Sequence, residues 1–149
     1  MKLCVLLCIV GLTLTGCASN SAEPTSSTAT DTLAADAPQD GVVVYYMHRT
    51  LRCPTCMKIE QISHETVQEA FAAELASGRI KWQTLDYQER DDLAQRYGVT
   101  MPSVVLVSYR NGAEMSHQVL DKTWSLYGQP AEFQTYVVGT VRECLDSAK

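Results

Sequence analysis

Val42-Val43-Val44-Tyr45-Tyr46-Met47 is followed by Arg52-Cys53-Pro54-Thr55-Cys56, and then by Ile59, Ile62, Val67 and Phe71. These are an unbroken apolar run, two cysteines separated by two residues, and an apolar stripe at helical spacing. The run has no polar alternation, which fits a central strand buried on both faces. His48 to Arg52 reads as a loop. Pro54 suits a first helical position, where its missing N–H would have no partner anyway. The stripe continues through Ala70 and Leu75, and Gly78 stands near the position that ends such a helix. A strand, a Cys-x-x-Cys and a helix, in that order, make a reactive dithiol.

The rest of the chain supplies a sheet around that unit. Ile80 to Leu85 reads as a second strand, with Ile80, Trp82 and Thr84 on one face. Glu89 to Tyr97 reads as a short helix with acids early and Gly98 as its stop. Ser103 to Val107, directly after Pro102, is another run of the buried type. Asn111-Gly112 marks a two-residue hairpin turn. Met115, His117 and Val119 alternate with polar residues, as on an edge strand. Residues 121–128 show no clear pattern. Ala131 to Ser147 reads as a closing helix with Phe133, Val137, Val141, Cys144 and Leu145 on its stripe. The order is β-α-β-α-β-β-α. A helix between the first two strands makes a right-handed crossover, and the final hairpin adds an antiparallel edge. The expected fold is α/β, a mixed four-stranded sheet flanked by helices, over residues 41–149.

Length and charge narrow the function. The chain has 149 residues, enough for one domain, and 46% of them are apolar. Residues 17–40 carry Glu23, Asp31, Asp36 and Asp40 and no base, and from Gly41 onward thirteen acids face eleven bases. A near-neutral domain argues against nucleic acid as a partner.

Lys2 and the apolar stretch Leu3 to Leu14 have the layout of a secretory signal. The stretch is shorter than the roughly 20 residues of a spanning helix. Leu14-Thr15-Gly16-Cys17 resembles the lipobox of bacterial lipoproteins, whose cysteine is acylated and becomes the new N-terminus. That resemblance makes residues 1–16 a signal peptide and Cys17 a lipid anchor, carrying palmitate or similar chains. More than one chain is what stable anchoring takes. It places the protein in the bacterial envelope, facing the periplasm, and Ala18 after the cysteine points to the outer membrane. An ordinary signal peptide with a cysteine at its cleavage site is the alternative. Residues 17–40 are Ser, Thr, Ala, Asp and Pro with few large apolar residues, and read as a flexible acidic tether. Such a tether reaches roughly 25–30 Å.

The six cysteines do not form a disulfide scaffold, which would spread them through the fold. Cys4 and Cys8 lie in the signal, Cys17 ends it, and Cys144 falls on an apolar stripe as a small buried residue. Cys53 and Cys56 remain. They can be a redox pair, an inert structural disulfide or a soft-metal site. Met47, Met57, Met101 and His48 keep the last reading open, because thiolate with thioether suits Cu(I). Position at a helix start favours redox. It leaves Cys53 exposed as the nucleophile and Cys56 tucked beneath it as the resolving thiol. The helix N-terminus stabilises the Cys53 thiolate. Arg52, with His48, Arg49 and Lys58, adds positive charge, so the Cys53 pKa is expected below ~8.5. His64 and His117 read as exposed polar positions, and Trp82 and Trp124 as core or edge aromatics.

From about Val42 to Leu145 the chain resembles the thioredoxin-fold family. The resemblance is carried by the Cys-x-x-Cys after the first strand, by Tyr97-Gly98-Val99-Thr100-Met101-Pro102 ahead of the third, and by Asn111-Gly112. It implies that Pro102 is cis, packs beside the dithiol, and with Met101 holds the backbone of a partner chain. It implies a thiol–disulfide oxidoreductase whose dithiol carries the electrons, so that no cofactor is required. The partner is then a protein disulfide or dithiol. A reductase outside the cytoplasm would also need a membrane electron donor of the DsbD or CcdA type; an oxidase would need the opposite, and the direction stays open. More narrowly, Tyr45-Tyr46-Met47-His48, Leu51 to Glu60 and Ala76-Ser77-Gly78-Arg79-Ile80 resemble a bacterial group known as the ArsF-type subunit of nitrophenyl-compound nitroreductases. That likeness implies electron delivery in nitroaromatic or arsenical detoxification. A copper-binding thioredoxin-like chaperone is the other alternative. Two departures stand out. Arg52 occupies the place of a Trp in thioredoxins proper. Their buried Asp in the first strand has no counterpart between Gly41 and Cys56, so either Glu60 or a water moves the Cys56 proton or its deprotonation is slow.

Overall fold

The computed structural model describes residues 37–149. The signal, Cys17 and the tether up to Asp36 lie outside the described residues. The elements are β1 (Gly41–His48), α1 (Pro54–Ala70), α2 (Ala72–Ala76), β2 (Ile80–Asp86), α3 (Asp91–Tyr97), β3 (Ser103–Arg110), β4 (Ala113–Val119), α4 (Thr123–Leu126) and α5 (Pro130–Ser147). The strands form one sheet in the order β2-β1-β3-β4. β1 runs parallel to β2 and antiparallel to β3, and β3 pairs antiparallel with β4. This is the mixed four-stranded sheet that the apolar runs predict.

β1 is central because both of its faces are apolar. Val42, Val44 and Tyr46 pack with Ile59, Val67 and Phe71 on one side and with Phe133, Val137 and Val141 of α5. Val43, Tyr45 and Met47 point the other way, toward Leu93, Ala94 and Tyr97 of α3. Burying a side chain of this size stabilises the fold by roughly 1.5–3 kcal/mol, so β1 nails two half-cores to one strand. At its start, Gly41 is required. A Cβ there would stand 1.9 Å from the Arg79 carbonyl oxygen, which accepts the Val42 N–H at 2.8 Å.

Four details differ from the sequence reading. The helix expected to run to Leu75 breaks at Phe71 (φ −132°, ψ 34°), whose buried ring turns into the core and leaves α2 as a separate turn. Residues 123–126 of the unclear stretch form α4. On β4, Ser116 faces Ser108 but Glu114 faces Tyr109. Met115 is therefore the extra residue of a bulge. The bulge puts Glu114 where alternation predicts Met115, and Met115 is 56% exposed. The fourth concerns the tether, expected through Asp40. Ala37 packs on the α3-side core, and Pro38 is buried. The Gln39 carbonyl accepts from Gly112 N–H at 2.8 Å, and Asp40 Oδ1 from Asn111 N–H at 2.9 Å. Both turn residues have positive φ, 52° and 72°, as a type I′ hairpin needs. Their N–H groups require acceptors, and residues 39–40 supply them.

Candidate functional site

Cys53 is the N-cap of α1, and Pro54 opens the helix. The Cys53 carbonyl accepts the first helical bond from Met57 N–H at 3.0 Å. Its sulfur accepts from Cys56 N–H at 3.0 Å, where a Ser or Asp oxygen more often sits. Cys53 and Cys56 are joined as a disulfide. Cys53 is partly exposed, and Cys56 is 6% exposed. The two cysteines are thus unequally exposed. The Cys53 sulfur stands at a helix N-terminus, which favours an anion there.

Beneath the pair, the Tyr46 hydroxyl donates to the Cys56 carbonyl at 2.6 Å. Burial pushes the Tyr46 pKa up to about 12, so at neutral pH it is a donor and cannot serve as a base. The loop before Cys53 is laced to the end of β2. His48 carbonyl accepts from Tyr87 N–H at 2.9 Å. Thr50 Oγ1 donates to Asp86 Oδ2 at 2.6 Å, and Thr50 N–H to Gln88 Oε1 at 3.2 Å. The Thr50 hydrogen bond, with that from Gln88 N–H, holds the Asp86 carboxyl below its ordinary range. Arg49 Nε donates to the Tyr87 hydroxyl at 2.7 Å.

Two of the positive charges expected near Cys53, Arg52 and Arg49, each hold a side-chain partner. Arg52 is ion-paired to Glu60, because α1 brings Glu60 back under the loop. Glu60 is accordingly held by Arg52. Lys58 lines a groove between α1 and α5 with Ile62, Glu65, Glu69 and Phe133.

Pairing of Met47 with Ser103 sets Pro102 alongside the end of β1, the end from which the dithiol loop leaves. Pro102 is buried, and its carbonyl accepts from Trp124 Nε1 at 2.7 Å. The expected cis bond is corrected: no described peptide bond is cis. Met101–Pro102 is trans, the isomer an X–Pro bond prefers by about 0.5–1 kcal/mol. Met101 is 45% exposed, and Leu51 and Met57, which bracket the cysteines, are 87% and 48% exposed. They account for three of the five exposed large apolar residues among those described.

Other predicted positions fall apart from this site. Cys144 is free and half-buried on α5. Burial raises its thiol pKa, in keeping with a packing role. His64 is stacked on Trp82 at 4.7 Å rather than standing free, since the helix face carrying it lies over β2. Among the described residues no three of His, Cys, Asp and Glu converge as a metal-ligand set, and no helix is long and apolar enough to cross a membrane. Sequence reasoning missed Tyr46, Tyr87 and Trp124. Tyr46 carried a signal: it shares the helix-facing side of β1 with Val42 and Val44. Trp124 carried none.

Solved structures share the fold. The chain aligns with the form II crystal structure of human ERp44 over 87% of its length, at 18% identity and a TM-score of 0.53. It aligns with the Trx4 domain of ERdj5 over 76%, at 15% identity and a TM-score of 0.52. The fold is thioredoxin-like. The chain spans 91% of the ERdj5 domain but about a third, 32%, of ERp44. No protein-family model and no curated protein matches it.

Proposed function

We propose that this protein is a thiol–disulfide oxidoreductase acting on protein partners through Cys53 and Cys56. One observation carries the reading: the pair caps a helix N-terminus with Cys53 partly exposed and Cys56 6% exposed behind it. In the reducing direction the Cys53 thiolate attacks a partner disulfide. An S–S bond forms between Cys53 and the partner, and one partner sulfur leaves as thiolate. Cys56, having lost its proton, attacks the Cys53 sulfur and expels the second partner sulfur. Two electrons pass to the partner, the released thiolates take up protons, and the pair ends as the disulfide. The oxidising direction is the reverse, beginning with attack of a partner thiolate on Cys53. The exposed side chains of Leu51, Met57 and Met101 offer apolar ground for the partner chain, in line with a docking role for the Met101-Pro102 loop.

The signal layout and Leu14-Thr15-Gly16-Cys17 support a lipid-anchored protein facing the periplasm, with Ala18 favouring the outer membrane. As a reductase there, it would draw electrons from a membrane dithiol donor of the DsbD or CcdA type. The narrower likeness of residues 45–60 and 76–80 supports a role as the electron-delivering member of a nitroaromatic or arsenical detoxification system.

The test is turnover. The wild-type protein should catalyse reduction of insulin disulfides by dithiothreitol, and Cys53→Ser should abolish it. Wild-type protein without activity, or an active Cys53→Ser variant, contradicts the reading. For the anchor, Cys17→Ala should block processing and membrane retention together.

A further inference from the structure

Arg52 immediately precedes the nucleophilic sulfur, and Glu60 lies two turns along α1. Their side chains meet as an ion pair with 31% and 21% exposure. A guanidinium beside a thiolate favours the charged form of sulfur. A carboxylate facing the same guanidinium competes for it. The other ionisable groups around the site have partners or lie elsewhere. Arg49 is held by Tyr87, and His48 Nδ1 lies 3.0 Å from the Arg49 carbonyl. Asp86 accepts from Thr50 and Gln88. On α1 itself, Lys58 belongs to the groove toward α5. From β1 comes the Tyr46 hydroxyl. From the segment leading into β3 come Met101, Pro102 and Ser103, none of them ionisable, and from α4 comes Trp124. Arg52 is the cation nearest Cys53 in sequence, and its charge is shared out before the thiolate forms.

We infer that Glu60 is a positioning residue for the thiol chemistry: by holding Arg52 it withholds a counter-charge from Cys53 and so sets the reactivity of the dithiol. Reduction of the disulfide creates a second anion on the residue next to Arg52 in the chain. Cys53 and Glu60 then share Arg52, and the thiolate is less stable than the helix terminus and an unclaimed arginine would make it. The inference rests on the thiol-exchange reading, and it answers a different measurement.

The experiment follows alkylation of Cys53 against pH in the reduced full-length protein, by mass of the Cys53 peptide, which sets aside the other cysteines. Wild type, Glu60→Gln, Arg52→Gln and the double variant form a cycle. Glu60→Gln should lower the Cys53 pKa by ~0.5–1 unit, a modest share of the 1–3 units a close opposite charge can produce. The thiolate fraction below the pKa then rises about three- to tenfold. Nucleophilicity falls with pKa, so the alkylation rate there should rise only about two- to threefold. Arg52→Gln should raise the pKa, and adding Glu60→Gln to it should restore less than half of the single-variant shift. That coupling supports the proposal. An unchanged pKa in Glu60→Gln, or the same shift with and without Arg52, overturns it; the second result makes Glu60 a plain repulsive charge. Loss of insulin turnover in wild type would overturn the oxidoreductase reading while leaving this titration legible.

Discussion

The indole N–H of Trp124 donates to the Pro102 carbonyl at 2.7 Å, across 22 residues of sequence. Pro102 lies beside the end of β1 because Ser103 pairs with Met47. A four-residue helix, α4, thereby fixes the loop on which the partner chain is expected to lie.

Trp124→Phe keeps an aromatic ring, though a smaller one, and removes the donor. The buried Pro102 carbonyl then lacks this partner, at a cost of about 1–2 kcal/mol. The urea midpoint should drop accordingly, and kcat/KM for a protein disulfide should fall several-fold. Alkylation of Cys53 by a small reagent should not change. Equal loss in both assays would mean that Trp124 acts on the cysteines rather than on docking.

Cys56→Ser removes the proposed resolving thiol and leaves the proposed nucleophile, Cys53. Mixed disulfides with partner proteins should accumulate, visible as shifted bands on non-reducing gels that collapse with dithiothreitol. Cys53→Ser should give none. Trapping through Cys56 in the Cys53→Ser protein would invert the assignment of roles.

Tyr46→Phe deletes the hydroxyl that bonds the Cys56 carbonyl at 2.6 Å. The expected loss is about 1 kcal/mol of stability. Because this hydroxyl stays protonated up to about 12, the pH profile of exchange between about 6 and 9 should keep its shape. A displaced limb would give Tyr46 a part in proton transfer.

Alkaline pH should destabilise the fold through the α3 side of the sheet. Burial raises the pKa values of Tyr45, Tyr97 and Tyr109 above the ordinary 10.0, and Glu114 adds to each shift. With folded values raised, their contribution is complete below pH 10 and is lost as pH climbs toward the folded values. The urea midpoint should be flat from about pH 7 to 9 and fall steeply above about 10. Tyrosine absorbance showing all of them ionised near 10 in the folded protein would refute the burial argument.

Gly41→Ala should destabilise by about 1–3 kcal/mol, as overpacking does, because its Cβ would strike the Arg79 carbonyl at 1.9 Å. Its effect lies at the far end of β1, so the Cys53 alkylation rate should stay at the wild-type value.

What the sequence made legible follows from range. Val42 to Met47 announces a two-faced strand because the core clusters packed on both its faces are apolar, and local composition encodes that. Asn111-Gly112 announces its turn because the required φ values are a property of those two residues. The dithiol and its unequal exposure follow from helix geometry alone. The Arg52–Glu60 pair, the Trp124–Pro102 bond and the Thr50–Asp86 bond link residues whose meeting depends on loop paths, which no period reports. The bulge at Met115 is of the same kind: one extra residue is invisible to an alternating pattern, yet it exchanges Met115 for Glu114 on the inner face. The cis geometry expected for Pro102 came with the family likeness and did not carry over to this chain, where the bond is trans.

β1 joins the preceding chain at Gly41 and releases the dithiol loop after His48, a span of about 26 Å at strand rise. It is also hydrogen-bonded on both sides, to β2 and β3. A pull transmitted from residues upstream of Ala37 therefore loads two ladders in shear along their length, the direction in which many bonds must yield at once. Mechanically the fold has a handle at one end and the disulfide at the other, joined by a strand paired on both sides, so tension on the handle should leave the geometry at the sulfur atoms undisturbed.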